Sequence, residues 1–258
     1  MPHVSLHVWR IPPARIGAAL SRVALDRARL RALPGVEFAK VLGTGRAFTP
    51  GGVDATRWAV LVAWRRERDA EDFEGGTVAR AWGRIATASC RLDLAPVASR
   101  GTWAGARPFD PAGPASPRPL DGAEPASPRP SGRAVAPSGG PVVAITRARL
   151  RPARAVRFWR AIRPVASSVS GADGLFATFG IGEAPLGWQG TVSVWRDASA
   201  LRAFAYRDPA HAAVVAATPA ERWYAEELFA RFTLLGTSGD RDVLGWRGLA
   251  GIPDGGGS

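Results

Sequence analysis

The chain has 258 residues, of which 46% are hydrophobic, enough to build a sizeable core in one large or two small domains. Its net charge is +12, and all of its 34 basic residues except Lys40 are arginines. Because these arginines are scattered over the whole chain, the charge argues against nucleic acid as the partner and fits an anionic surface or an acidic partner better.

The single cysteine, Cys90, excludes an internal disulfide and a cysteine metal cluster, and it is compatible with a reducing compartment. The first residues show no signal-peptide apolar region, and no run approaches the ~20 apolar residues that cross a bilayer. We therefore expect a cytoplasmic protein. An apolar substrate could still bring it into peripheral contact with a membrane surface.

The first part of the chain alternates between strand and helix patterns. Its four predicted strands are Val4–Trp9, Val36–Leu42, Trp58–Trp64 and Cys90–Pro96. A long amphipathic helix is predicted from Arg15 to Leu33, and a short one within Ala70–Ala86. Gly43-Thr44-Gly45 lacks the lysine of a phosphate-binding loop, so we predict a turn there.

The second part repeats this order after a change of composition. Strands are predicted at Val142–Leu150, Leu175–Ile181, Gly190–Trp195 and within Glu227–Leu235, and helices begin near Arg154, after Asp197 and at Pro209. Residues 107–141 are rich in Pro, Ala, Gly and Ser, which predicts a disordered or polyproline-like linker. The glycine-rich residues 240–258 predict a flexible tail.

Both parts follow the order βαββαβ. Val60–Phe73 aligns with Thr191–Phe204, so that a strand ends in Trp-Arg and a helix follows in each. This order is typical of the ferredoxin-like unit. We predict an α+β fold in which residues 1–106 and 142–239 form two ferredoxin-like halves that pair into a barrel of the dimeric α+β type within one chain.

His211 lies at a predicted helix start, with Asp208 as the N-cap and Pro209 in the first helical position. The positive end of the helix dipole favours a neutral imidazole, the form that ligates metals. The alternative role is a helix-start residue that is hydrogen-bonded to the backbone. The first half carries Arg80 or a neighbour at this place, so one site per chain is expected.

The other two histidines, His3 and His7, lie on the same face of the first strand. A zinc site needs at least one further ligand, and the sequence offers none beside them. We do not expect a metal there.

Seven segments resemble the spheroidene monooxygenase family of carotenoid biosynthesis. They are KVLGTG (40–45), SRGTW (99–103), ITRARLRP (145–152), FGIGEAP (179–185), TVSVW (191–195), DPAHAAVV (208–215) and WYAEELFARF (223–232). The resemblance implies a haem-dependent monooxygenase that oxygenates a carotenoid with dioxygen and electrons from a reduced ferredoxin-type donor. It further implies similarity to dimeric α+β barrel proteins that bind haem b through a helical histidine.

Transferred to this chain, the resemblance makes His211 the candidate ligand of the haem iron. The residues that could line the pocket, or simply belong to the core, are Trp188, Trp195, Phe204, Trp223 and Phe229. Two catalytic residues are suggested. Arg231 points to the opposite face of its strand from Phe232 and could pair with a haem propionate or polarise bound oxygen, and Gln189 could donate a hydrogen bond on the distal side.

Two alternatives stay open because the fold supports many chemistries. The first is a haem enzyme with other chemistry, such as dehydration or bond formation at nitrogen, on a small metabolite. The second is a binding barrel without haem or catalysis. The long linker and the arginine content depart from the family pattern, and a homodimer is compatible with the sequence.

Overall fold

The computed structural model describes residues 2–46, 52–110, 139–183 and 188–247. Its strands are β1 His3–Arg10, β2 Val36–Gly45, β3 Val53–Trp64, β4 Ala88–Gly101, β5 Val142–Leu150, β6 Leu175–Gly182, β7 Trp188–Trp195 and β8 Tyr224–Gly239. Its α-helices are α1 Ile16–Ala32, α2 Glu67–Glu74, α3 Thr77–Gly83, α4 Ala155–Ser170, α5 Ala198–Arg207 and α6 Pro209–Glu221. Short 3₁₀ helices occupy Pro13–Arg15, Pro152–Arg154 and Arg241–Leu244.

The eight strands close into one antiparallel barrel in the order β1-β3-β2-β6-β7-β5-β8-β4. Each half contributes four neighbouring strands, and the halves join where β2 pairs with β6 and where β4 pairs with β8. The predicted α+β fold, with two βαββαβ halves in one barrel, is confirmed. In each half the second helical position holds two short helices, α2 with α3 and α5 with α6.

The junction between β2 and β6 is built from glycine-rich strand ends. Gly43 lies opposite Gly182, and Gly45 lies opposite Gly180. A Cβ atom on Gly180 would lie 3.1 Å from the carbonyl oxygen of Arg46, so the close approach favours glycine. The turn predicted at Gly43-Thr44-Gly45 is wrong, because these residues continue β2 and pair with the other half.

The barrel interior is filled by side chains, and the chain closes it from both ends. Trp103 and Phe109, which follow β4, are fully buried, and Phe109 lies 5.2 Å from Phe232 between ring centroids. At the other end Val243 and Leu244 join the same core. These buried side chains form one continuous apolar core inside the barrel.

These contacts place two boundaries differently from the sequence expectation. Phe109 belongs to the core although it falls in the predicted linker, and Val243 and Leu244 belong to it although they fall in the predicted tail. Burial of these apolar side chains accounts for the order of both segments. Residues 111–138 of the linker and 248–258 of the tail lie outside the described residues.

Helices cover the outer face of the sheet in each half. In the first half a cluster of apolar side chains that includes Trp9, Trp64 and Trp82 fills the space between sheet and helices. In the second half two smaller clusters occupy the corresponding layer, one around Phe158 and the other around Trp195. No helix in the described ranges is both long and apolar enough to cross a bilayer.

Candidate functional site

His211 lies in the first turn of α6, where the sequence predicts it. The Asp208 side chain caps the helix by accepting a hydrogen bond from the His211 backbone N–H at 2.7 Å. The same carboxylate accepts a hydrogen bond from the Ser168 hydroxyl of α4 at 3.2 Å. The predicted N-cap is confirmed, and it ties the start of α6 to α4.

The imidazole of His211 is oriented by the backbone of α5. Its Nδ1 atom lies 2.9 Å from the carbonyl oxygen of Ala205. A carbonyl oxygen only accepts, so Nδ1 is the donor of this contact, and in the neutral ring the lone pair is then on Nε2. Nε2 has no hydrogen-bond partner among the residues that the structure describes. The ring is therefore held in the tautomer that presents Nε2 to a metal.

Aromatic contacts connect His211 to the sheet. The Phe204 ring lies 5.2 Å from the His211 ring and 5.3 Å from the Trp195 ring, measured between centroids. Trp195 is buried and donates a hydrogen bond from Nε1 to the Ser193 hydroxyl at 2.9 Å. Three of the predicted site residues, His211, Phe204 and Trp195, are thus brought together.

The outer face of the second-half sheet next to these residues carries small side chains. We call it the small-residue floor, and it consists of Ala144, Thr146, Ala148, Thr178, Gly180, Thr191 and Ser193. Their strand neighbours point into the barrel core, as alternation requires. Thr146 and Thr191 are hydrogen-bonded through their hydroxyls at 2.7 Å.

The strand registers allow each floor residue to be compared with the first half. His3 of β1 pairs with Trp64, and Val142 of β5 pairs with Trp195, so His3 and Val142 occupy equivalent positions. Counting along the two strands from these positions aligns Ala148 with Trp9. By the same register Thr191 aligns with Val60. Trp9 is buried and stacks on Trp82 at 5.4 Å, whereas Ala148 is partly exposed. The indole at Trp9 is therefore replaced by a methyl group at Ala148, whereas Thr191 has about the same size as Val60 and replaces a methyl group with a hydroxyl.

The replacement reduces the side-chain volume between the sheet and the helices of the second half. An indole occupies the space above the sheet at Trp9, and a single methyl group stands at Ala148. The floor also lies beside the aromatic contacts of His211, through Ser193 and Trp195.

Two further predicted residues lie at the edge of the floor on β8. Arg231 pairs with Ala144 of the floor, and Phe229 pairs with Thr146. Phe232 joins the barrel core, so Arg231 does point to the opposite face, as the strand pattern predicts. The guanidinium of Arg100 lies 4.4 Å above the Phe229 ring.

The remaining predicted residues occupy different places. Trp223 is 2% exposed and packs in the cluster between α4 and α6, 5.7 Å from the Phe158 ring. Gln189 lies in β7 opposite Ala148 and Gly182, with Trp188 before it. The side chains of Trp188 and Gln189 lie outside the described residues.

The two N-terminal histidines have carboxylate partners on the outer face of the first half. His3 Nε2 lies 3.1 Å from Asp93, and His7 Nδ1 lies 3.1 Å from Glu74. Burial lowers the pKa of His7, against the Glu74 carboxylate, which raises it. No group of three metal-ligating side chains occurs among the described residues.

A buried ion-pair network at one end of the barrel was not predicted. Arg147 is buried and pairs with the carboxylates of Glu183, at 3.1 Å, and of Glu226. Glu183 also pairs with Lys40 at 2.6 Å and accepts a hydrogen bond from the Trp103 indole. All five residues lie in segments that carry the family resemblance. Their presence in these segments could have indicated from the sequence that they have a role.

The network holds Glu226 ionised. Burial raises the pKa of Glu226, but hydrogen bonds from the Gly105 N–H, Arg147 and Thr102 outweigh it, and the net pKa lies below its ordinary value. Because Lys40 and Trp103 belong to the first half and the other members to the second, the network joins the halves.

Comparison with known proteins gives close relatives by sequence. The chain is 35% identical over 243 residues to the spheroidene monooxygenase of Rhodobacter capsulatus, which covers 93% of this chain and 92% of that protein. It is 34% identical over 211 residues to the spheroidene monooxygenase of Rubrivivax gelatinosus, which covers 80% of this chain and 72% of that protein. No family model matches the chain.

Comparison with solved structures supports the fold alone. A crystal structure of aldoxime dehydratase in complex with butyraldoxime superposes with a TM-score of 0.57 at 12% identity. The match covers 90% of this chain and 79% of that chain. At this identity the likeness concerns the arrangement of strands and helices and carries no reaction with it.

Proposed function

Because the chain belongs to the spheroidene monooxygenase family, we propose that it is a haem-dependent monooxygenase of carotenoid metabolism. It would transfer an oxygen atom from dioxygen to a carotenoid or another apolar substrate, using electrons from a reduced ferredoxin-type donor. The name of its relatives supports the monooxygenase reaction and the class of substrate. Haem b and the donor are our proposals for this chain.

The observation that carries the haem proposal is the state of His211. A histidine that ligates iron needs an unprotonated nitrogen, and its other nitrogen is commonly hydrogen-bonded to a carbonyl or a carboxylate. The contact between Nδ1 and the Ala205 carbonyl meets the second requirement and leaves Nε2 as the nitrogen available to a metal. The residues present therefore fit a haem ligated through Nε2 of His211.

The surrounding residues fit the shape of a macrocycle. The small-residue floor has Ala148 where the first half packs Trp9, and Ser193 where it packs Val62, so less side-chain volume stands above the sheet. Phe204 packs against the ligand histidine, and the buried Trp195 supports Phe204 from the sheet. Arg231, at the floor's edge, offers a guanidinium that can pair with a carboxylate such as a haem propionate.

When bound, haem would supply an iron centre with one open face at which dioxygen can be activated. The chain's own residues have separate tasks. Ala205 holds the imidazole tautomer, and Asp208 holds the helix end that carries the imidazole. The floor carries methyl and hydroxyl groups but no charge, which suits an apolar substrate. Gln189 remains our candidate for a hydrogen bond to bound oxygen.

A single-turnover assay with isotopically labelled dioxygen tests the proposal. Haem-loaded protein, a reduced ferredoxin-type donor and a detergent-dispersed acyclic carotenoid are incubated, and the product is analysed by mass spectrometry. We expect a labelled oxygen atom in the carotenoid with the parent protein and with Arg80→Ala, a change in the corresponding helix of the first half. We expect none with His211→Ala. Full turnover by His211→Ala, or a product whose new oxygen atom carries no label and therefore comes from water, would overturn the proposal.

A further inference from the structure

The outward side of α6 is uncharged and exposed. Between Pro209 and Ala220 the helix contains no acidic or basic residue apart from His211. Val215 is 50% exposed, and Ala213 and Ala216 are exposed beside it. A helix that is apolar on all sides is normally buried. We therefore expect the exposed outer side of α6 to be covered by an apolar environment.

α6 packs between α4 and α5. Both of these neighbouring helices carry exposed arginines, so the apolar strip is flanked by arginines on both sides. The solvent side of α4 carries Arg157, Arg160 and Arg163, and that of α5 carries Arg202 and Arg207, all of them exposed. Neither α4 nor α5 contains an acidic residue. We call the exposed sides of these three helices the helical face.

The positive charge of α5 is not explained by the arginine-rich composition of the chain. The corresponding helix of the first half, α2, has the sequence ERDAEDFE, with five acidic residues and one arginine. The repeat thus provides an internal comparison in which the same structural position has the opposite charge. The difference between the halves lies in α5, because α1, which corresponds to α4, also carries four arginines beside its single aspartate.

Two further exposed side chains fit a membrane interface. Tyr206 at the end of α5 is 74% exposed, and Val156 near the start of α4 is 63% exposed. Tyrosine is enriched at the level of lipid headgroups, where its ring lies in an apolar environment and its hydroxyl stays in water. Tyr206 also lines a groove with Arg196 and Arg202, next to the exposed arginines.

We propose that the helical face docks on an anionic lipid bilayer. The alanine and valine side chains of α6 would enter the headgroup boundary, while the flanking arginines pair with lipid phosphates. This inference rests on the proposed function in one respect, since an apolar substrate dissolved in the bilayer would then reach the helix that carries His211. The docking itself needs neither haem nor turnover.

Vesicle flotation tests the docking with purified full-length protein and no substrate. We expect binding to vesicles of phosphatidylcholine mixed with phosphatidylglycerol, and little binding to phosphatidylcholine alone. The double variant Arg160→Glu with Arg163→Glu should bind the mixed vesicles at least about tenfold more weakly, because each basic residue near an anionic surface contributes substantially to binding. The control, Arg31→Glu with Arg84→Glu, makes the same change in net charge on exposed first-half residues and should bind like the parent.

A second variant tests the apolar strip separately. Val215→Asp adds a carboxylate at the centre of the strip and should also weaken binding, without altering the far-ultraviolet circular dichroism. Equal loss of binding in the Arg31/Arg84 control would overturn the proposal in favour of non-specific charge attraction. Absence of vesicle binding, together with a dimer in light scattering that Val215→Asp dissociates, would overturn it in favour of a second copy of the chain.

The outcomes for docking and for haem are separable. The Arg160/Arg163 double variant keeps His211 and should take up haemin with the same Soret spectrum as the parent. If the protein bound vesicles but no haem, the docking surface would stand and the proposed function would fail. If it bound haem but no anionic vesicles, the proposed function would stand and the docking surface would fail.

Discussion

The Nδ1 atom of His211 lies 2.9 Å from the carbonyl oxygen of Ala205, so the end of α5 orients the imidazole at the start of α6. The two residues belong to consecutive helices, and the turn between them contains the N-cap Asp208. The ligand orientation therefore depends on local backbone geometry as well as on the histidine. Substitutions near this turn should weaken ligand binding more than they reduce the stability of the barrel.

Asp208→Ala should weaken the protein and its haem affinity together. Loss of the N-cap costs about 1 kcal/mol of unfolding free energy, and loss of the contact with Ser168 frees α6 from α4. We expect a several-fold weaker haemin affinity in a spectrophotometric titration. Asp208→Asn, which keeps a capping oxygen, should stay close to the parent in both measurements. An unchanged haemin affinity in Asp208→Ala would contradict the positioning role.

Ala148→Trp should abolish haem uptake while the fold persists. The new indole would occupy the space that Trp9 occupies in the first half, and Ala148 is partly exposed, so the side chain has room. Ala24→Trp, at an exposed position of α1 in the first half, is the control for the added bulk. If Ala148→Trp took up haemin as the parent does, the ligand would lie elsewhere. If it failed to fold, the open layer above the floor would not exist.

Arg147→Met should destabilise the protein strongly. It would leave the carboxylates of Glu183 and Glu226, which are about nine-tenths buried, without their shared cation. Breaking a buried ion pair from one side costs roughly 3 to 5 kcal/mol. Arg157→Met, which breaks an exposed pair with Glu221, should cost less than about 1 kcal/mol. Urea unfolding measures the loss of unfolding free energy in both variants. Equal losses would show that the buried network stabilises the protein no more than the exposed pair does.

Stability should fall on mild acidification because of His7. Burial lowers its pKa below the ordinary value of about 6.5, so the folded state prefers the neutral ring. The stability that the neutral His7 ring contributes is fully present above the pKa that His7 has in the unfolded chain. It is lost as the pH falls through the pKa that His7 has in the folded protein. We expect a smaller unfolding free energy at about pH 5 than at about pH 7, and a weaker dependence in His7→Gln. Identical profiles for the two proteins would exclude His7 as the cause.

Local sequence signals were sufficient to locate the strands and the capped helix starts of the second half. Asp197 and Asp208 cap their helices as predicted, because the side chain and the backbone N–H that it accepts from are two or three residues apart. The repeat of βαββαβ in turn identified the two halves. Such information is contained within short windows of the chain.

Long-range contacts were not predictable in the same way. Gly43 and Gly45 resemble turn residues locally, but they pair with Gly182 and Gly180 of the other half. The partners of Arg147 lie 36 and 79 residues away, so its role depends on the barrel closure. Phe109 resembles part of a linker by composition, yet its apolar ring is buried in the core.

The candidate site was predicted in part. His211, Phe204 and Trp195 were identified, and the structure places them in contact. The floor was missed because its residues are small and ordinary, and they become informative only when the strand registers align Ala148 with Trp9. Comparing the outward positions of the two halves strand by strand would have found it.

The most direct test of the central claim is the visible absorption spectrum of the purified protein after titration with haemin, recorded beside His211→Ala. The account predicts a Soret band in the parent at one haem per chain, and its loss or displacement in the variant. A parent protein without a Soret band, or a variant with the same spectrum as the parent, would contradict ligation of haem by His211.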